Sequence, residues 1–286
     1  MSDTLLIFLV LAAGTWLSTS VGAAMIAFVK KGSGTITTLI LGFAAGVILM
    51  VSFVELIHPA IHQAETYASL PAWLVVPVAF AGGFLGTLLF DMYINHLSKK
   101  RESEGGDNFK YKQGLLLLAT LSSHNIPEGL ALGILLGAVG AVNGEELIAI
   151  MPIVVAIGLH KIPEGTAIAV AFQKEGMTKL KSFFLGQMSG FMGFLSGLVS
   201  FRVATSFDAV LPYAMAFAGG AMVWVVVHEL IPESNRNRKK SPYLATVGVL
   251  LGVVLMLFVD ITLHNHGHSH DCCHGHGAVC GVHHHR

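Results

Sequence analysis

Charge is scarce in this chain. Its 286 residues include 17 basic and 17 acidic side chains, 12% of the total, and they cancel to a formal net charge of zero. No surplus of one sign is available to draw nucleic acid, and the basic residues fall in short connecting stretches. Cysteine is nearly absent: there are three, all at or after Cys272, so no disulfide framework runs through the body of the protein. Polar stretches long enough to make a soluble domain are also missing. No cleavage site follows the first apolar segment, which is therefore kept as a membrane helix and not read as a removable leader.

What remains is apolar. Hydrophobic residues make up 53% of the chain and glycine contributes 32 positions, with a mean hydropathy of +0.69. This composition belongs to a polytopic, all-α membrane protein. Eight spans are expected, near 5–29, 35–57, 71–96, 114–141, 146–172, 181–203, 209–231 and 242–263, the second with room to run past the membrane edge at His58-Pro59. Glycines inside them, such as Gly42 and Gly46, permit close helix contact. Residues 1–263 form one transmembrane domain and 264–286 a separate tail. Fourteen of the 17 Lys and Arg residues lie in alternate connections, after spans one, three, five and seven. The positive-inside rule places those connections, including the charged 97–112 stretch, in the cytoplasm and both termini outside.

Two near-identical motifs sit inside apolar segments: His124-Asn125-Ile126-Pro127-Glu128-Gly129 and His160-Lys161-Ile162-Pro163-Glu164-Gly165. Ionisable residues in a bilayer are expensive and mark function by default. His124 and Glu128 are four residues apart, as are His160 and Glu164, so on a helix each pair shares one face. Two such helices facing one another present two imidazoles and two carboxylates, a donor set suited to a divalent transition metal, zinc above all. Pro127 and Pro163 remove the helical partners of the Ser123 and Leu159 carbonyls, so kinks are expected in the fourth and fifth spans. A bland alternative is that these polar pairs only hold helices together.

Polar residues cluster elsewhere along the spans. Glu55, His58, His62 and Glu65 would lie at the outer mouth, as metal collectors or as an ordinary wet interface. His228, Glu229 and Glu233 would lie on the cytoplasmic exit side, as a second stop or a simple interfacial end. Thr15, Ser18, Thr19 and Ser20 on the first span either line a path or bond to their own helix. Gln187 is an accessory ligand or a packing residue. The tail holds nine of the 15 histidines and all three cysteines, a composition that binds borderline and soft metals.

These motifs, with Gly186-Gln187-Met188-Ser189-Gly190 and His228-Glu229-Leu230-Ile231-Pro232-Glu233, make the chain resemble the ZIP (Zrt/Irt-like) family of divalent metal transporters, of the bacterial kind. The resemblance covers essentially the whole chain. It implies import of Zn²⁺, or of iron, manganese, cobalt, nickel or cadmium, into the cytoplasm across the cell (inner) membrane, with metal as transported substrate and no organic cofactor. It also implies a homodimer and no enzymatic activity. The resemblance implies two adjacent metal sites, the first from His124, Glu128, His160 and Glu164. The second would use Asn125, the same glutamates, an acidic or amide residue at position 161 and a glutamate in Ser-Gly-x-x-Glu-Pro. Here position 161 is lysine, and Ser189-Gly190 is followed by Phe191, Met192, Gly193 and Phe194. Both departures remove ligands from the second site. A single-metal site is therefore expected, with the Lys161 ammonium in the second place, weakening metal binding and linking it to protons; the alternative is a Lys161 that points away and snorkels.

Rival functions fit less well. An intramembrane metalloprotease needs His-Glu-x-x-His, and both motifs have Asn125 or Lys161 beside the histidine. A cation-diffusion exporter would bring fewer spans and a soluble domain. A membrane-embedded metal sensor or receptor without transport remains as the alternative. Deleting residues 264–286 should lower uptake at scarce metal and leave it near normal at saturation; equal loss at every concentration would sink the idea of a metal-capturing tail.

Overall fold

In the computed structural model of the chain, the residues described are 2–28, 34–102, 125–138, 144–174, 176–203, 208–236 and 243–267. They are helical with short turns, and no strand occurs among them. The α-helices are α1 (Ser2–Ala24), α2 (Gly34–Val51), α3 (His58–Tyr67), α4 (Ala72–Glu102), α5 (Asn125–Ala138), α6 (Gly144–Lys174), α7 (Lys179–Val203), α8 (Leu211–Val225), α9 (Ile231–Asn235) and α10 (Leu244–Gly267). Among the described residues, six segments are long and apolar enough to cross a membrane: Leu5–Ala27, Gly34–Thr66, Ala72–Tyr93, Lys179–Arg202, Leu211–Asn235 and Leu244–Thr262. The protein is thus a polytopic membrane protein.

Helices continue past several expected ends. α4 runs to Glu102, into the stretch read as a loop, because Lys99, Lys100 and Arg101 are good helix formers and cations favour a helix C-terminus. α10 runs to Gly267, beyond the expected boundary at residue 263. The rest of the tail lies outside the described residues.

The second span does continue past Pro59. α2 and α3 form one rod through a π segment, Ser52–Ile57, and α8 and α9 are joined likewise by Val226–Leu230. Both π segments precede a proline, Pro59 or Pro232. A proline ring crowds the carbonyl four residues back, here Glu55 or His228, and gives it no N–H partner. A wider turn relieves that clash. At Pro163, where a kink is expected, α6 is one continuous helix.

Glycine sets the packing. Along α2 and α10, a Cβ added at Gly42 or Gly46 would strike the Ala245 or Val249 main chain, and one at Gly248 or Gly252 would strike Leu39 or Phe43. Gly83 of α4 and Gly220 of α8 press on the Phe217 and Phe80 backbones in the same way. Gly22 of α1 meets Ile162 of α6, and Gly165 meets Thr19. Gly129 and Gly133 of α5 lie on the backbone at Gly193 and Gly197 of α7. In lipid no hydrophobic force separates helix from solvent, so close backbone contact of this kind replaces it. The Thr166 hydroxyl adds a bond from α6 to the Gly22 carbonyl, at 2.8 Å.

Apolar side chains fill the remaining space in layers. One cluster (Ala60, Ala64, Val75, Val76, Ala131, Met215) closes the end of the bundle near the turn at residues 68–71. Another (Leu41, Ile48, Ala167, Val170, Val225, Leu230) lies toward the turn at Gly176. The polar centre described next falls between them.

This packing generates a stability test. Gly133→Ala should lower the melting temperature of the detergent-solubilised protein, because the new methyl meets the Gly197 carbonyl and Ser200, an overpacking cost of about 1–3 kcal/mol. Gly14→Ala, where nothing lies within 4 Å, should leave it unchanged or raise it.

Candidate metal centre

α5 and α6 carry the paired motifs. α7 packs against both, and α1 packs along α6. The residues brought together are Asn125, Glu128, His160, Lys161 and Glu164, each between 0% and 6% exposed. His124 lies outside the described residues.

The core of the centre is three side chains. Glu128, His160 and Glu164 each offer one ligand atom, and these atoms lie within 4.8 Å of one another. His160 Nε2 is 3.0 Å from Glu128 Oε1. One imidazole and two carboxylates at this spacing can hold a divalent cation.

Lys161 occupies the other side of the same carboxylates. Its ammonium donates to Glu164 Oε2 at 2.7 Å, and also to Glu128 Oε2 and to Asn125 Oδ1. Glu128 therefore presents one oxygen to the imidazole and the other to the ammonium. Lys161 points inward and does not snorkel. The electrostatics explain the burial: two carboxylates in an apolar bundle are very costly alone, and the ammonium removes half of their charge at hydrogen-bond distance.

Asn125 is itself held. Its Nδ2 donates to the Ser189 hydroxyl of α7 at 2.7 Å. An ammonium has no acceptor, so the amide oxygen must face Lys161 and the amide nitrogen must face Ser189. Ser189 is fully buried. Sequence reasoning quoted it only as part of a motif; a lone serine in an apolar helix gave no sign of its partner.

Cavities lie on both sides of the centre. The first is bounded by α1, α5, α6 and α7, with Thr15, Trp16, Thr19, Glu128, Lys161 and Gly193 in its wall. Thr15 and Thr19 border this space, and their hydroxyls bond their own helix at 2.8 and 3.3 Å. Ser18 and Ser20 make the same backbone bonds but line neither cavity. The second cavity starts at Glu164, has apolar walls including Leu41, Ile168 and Val225, and ends at Glu229 and Glu233.

The suspected exit cluster therefore divides. Glu229 and Glu233 share a cavity with Glu164, whereas the exposed His228 stacks on Trp224 with ring centroids 4.4 Å apart. The suspected outer cluster divides too. Glu55 is buried in the π segment. His58 and His62 are exposed with rings edge-on at 4.9 Å, and His62 lies 4.0 Å from Glu65. Gln187 joins neither cavity; its main-chain carbonyl accepts from the Trp16 indole at 3.1 Å.

Comparison with known proteins gives consistent matches. The profile of the family described as ZIP Zinc transporter matches residues 111–260. The chain is 33% identical to the zinc transporter ZIPB of Bordetella bronchiseptica, over 86% of this chain and 78% of that one. It is 31% identical to the zinc transporter ZupT of Chlorobium luteolum, over 87% and 94% of the two chains. It is 27% identical to human zinc transporter ZIP11, over 87% and 95%. The stretch matched by the family profile contains both motif helices and the Ser189 helix between which the polar centre is built, and the chain belongs to the ZIP family of metal transporters, which are not enzymes.

Proposed function

We propose that the chain imports divalent transition-metal ions into the cytoplasm, zinc foremost, through a centre that holds one metal ion at a time. The carrying observation is the position of Lys161. Its ammonium bridges Asn125, Glu128 and Glu164, the place of a second cation, and leaves His160 and the remaining carboxylate oxygens for the first. The metal ligands are then His124, Glu128, His160 and Glu164. The relatives named as zinc transporters support zinc as the principal cargo; the donor set also suits iron, manganese, cobalt, nickel and cadmium.

Eight spans with both termini outside follow from the basic residues of alternate connections. In that orientation the cavity from Glu164 to Glu229 and Glu233 leads to the cytoplasm, and the apolar cluster at Ala60, Val76 and Met215 bars the outer side. Glu55, His58 and His62 belong to the outer mouth, where the exposed His58–His62 pair meets incoming metal. The working unit in the membrane is a homodimer.

Uptake of Zn²⁺ into proteoliposomes loaded with a metal-sensitive dye tests this reading. Saturable influx should fall to background in both Glu128→Ala and Glu164→Ala, with folding retained. Well-folded wild type that binds zinc but passes none would turn the assignment toward a sensor.

Lys161 has its own test. Lys161→Ala should tighten Zn²⁺ binding by on the order of tenfold, since a unit charge at hydrogen-bond distance opposes the metal's charge. It should also lower the melting temperature of the metal-free protein, because Glu128 and Glu164 lose their ammonium. Chelator competition and thermal unfolding read the two effects; an unchanged affinity would sink the counter-ion role.

A further inference from the structure

We infer that Ser189 is a positioning residue for the transport centre: by holding the Asn125 amide it keeps the Lys161 ammonium in the second cation place. The inference rests on the counter-ion reading of Lys161 given above. Its own ground is a continuous buried chain of bonds. Ser189 accepts from Asn125 Nδ2 at 2.7 Å. Asn125 Oδ1 accepts from Lys161, and Lys161 donates to both glutamates. Ser189 and Asn125 are each fully buried, so no bulk water stands ready to replace either partner.

The geometry leaves the amide one useful orientation. Turned over, Asn125 would aim its NH₂ group at an ammonium, two donors face to face. Ser189 is what makes the productive orientation complete, because it gives the amide nitrogen an acceptor on the side away from Lys161. Gly193, four residues on, lies against the Asn125 backbone: a Cβ there would come within 3.2 Å of the Asn125 carbonyl. The same helix that lacks a carboxylate at position 193 thus fixes both the main chain and the side chain of Asn125. α7 contributes to the centre by orienting an amide, and through it a lysine.

Without the Ser189 hydroxyl, the Asn125 amide loses its anchor and Lys161 keeps only the glutamates. Zinc then displaces a less firmly held ammonium from Glu128 and Glu164. The test is a set of Zn²⁺ affinities by chelator competition on the full chain in detergent. Ser189→Ala should tighten binding by roughly two- to tenfold, the range of one neutral hydrogen bond. The shift should vanish in a Lys161→Ala background, because Ser189 acts only through that side chain. Ser189→Thr, which keeps the hydroxyl, should return the affinity to near the wild-type value. A Ser189→Ala protein with unchanged affinity, a shift that persists in full without Lys161, or a Ser189→Thr protein that behaves as Ser189→Ala would each overturn the inference. If Lys161→Ala alone leaves affinity unchanged, the counter-ion reading fails; if it tightens binding and Ser189→Ala does not, only the role of Ser189 fails.

Discussion

Two carboxylates buried at the middle of an apolar bundle impose the constraint on which the rest of the structure depends. Glu128 and Glu164 cannot be left opposite each other without compensating charge, because the Coulombic and desolvation costs both grow as water is excluded. This chain supplies part of the compensation itself. Lys161 makes a salt bridge with each glutamate, and His160 faces the other oxygen of Glu128. Two carboxylates against one ammonium leave one formal negative charge. The centre is therefore attractive to a cation without being intolerable when empty.

Placing those groups within reach requires backbones that approach closely, and glycine provides the approach. α5 lies on α7 through Gly129, Gly133, Gly193 and Gly197, and α6 lies on α1 through Gly22 and Gly165. The motif glycines Gly129 and Gly165 each directly follow a centre glutamate. The turn that presents a carboxylate is thus also the turn that docks its helix. A larger residue there would move the carboxylate as well as the helix. The same device joins α2 to α10 and α4 to α8, so the helix pairs around the centre share one kind of contact.

Much of this was legible in the sequence, for identifiable reasons. Apolar runs set out the described helices, because lipid allows few alternatives. The matching motifs pointed to Glu128, His160 and Glu164, which the structure brings together, because a spacing of four places His160 and Glu164 on one helix face. Lysine at 161 and glycine at 193 are the departures from the family pattern on which the single-ion proposal rests. Other features were hidden. The π turns before Pro59 and Pro232 arise from a clash between ring and carbonyl that periodicity does not register, whereas Pro163 sits in continuous helix. Ser189 needed the register of α5 against α7. The separation of His228 from Glu229 and Glu233 depends on how the π turn at Val226–Leu230 sets that helix against its neighbours.

A tethered cation differs from a bound one in a way that matters for a carrier. A metal ion leaves when it is delivered, and the carboxylates it neutralised must then be neutralised by something else or returned to water. On the reading proposed above, the Lys161 ammonium, being covalently tethered, stays with the site whether or not metal is bound. It reduces the electrostatic gap between loaded and empty states, at the cost of opposing the incoming metal at short range. Strong binding and ready release pull in opposite directions, and binding that is too favourable slows departure. A fixed positive charge beside the carboxylates weakens the hold on a divalent ion and stabilises the state left behind. On the reading proposed here, exchanging a second metal site for a lysine trades affinity for turnover, and the amide that aims the lysine helps set the balance.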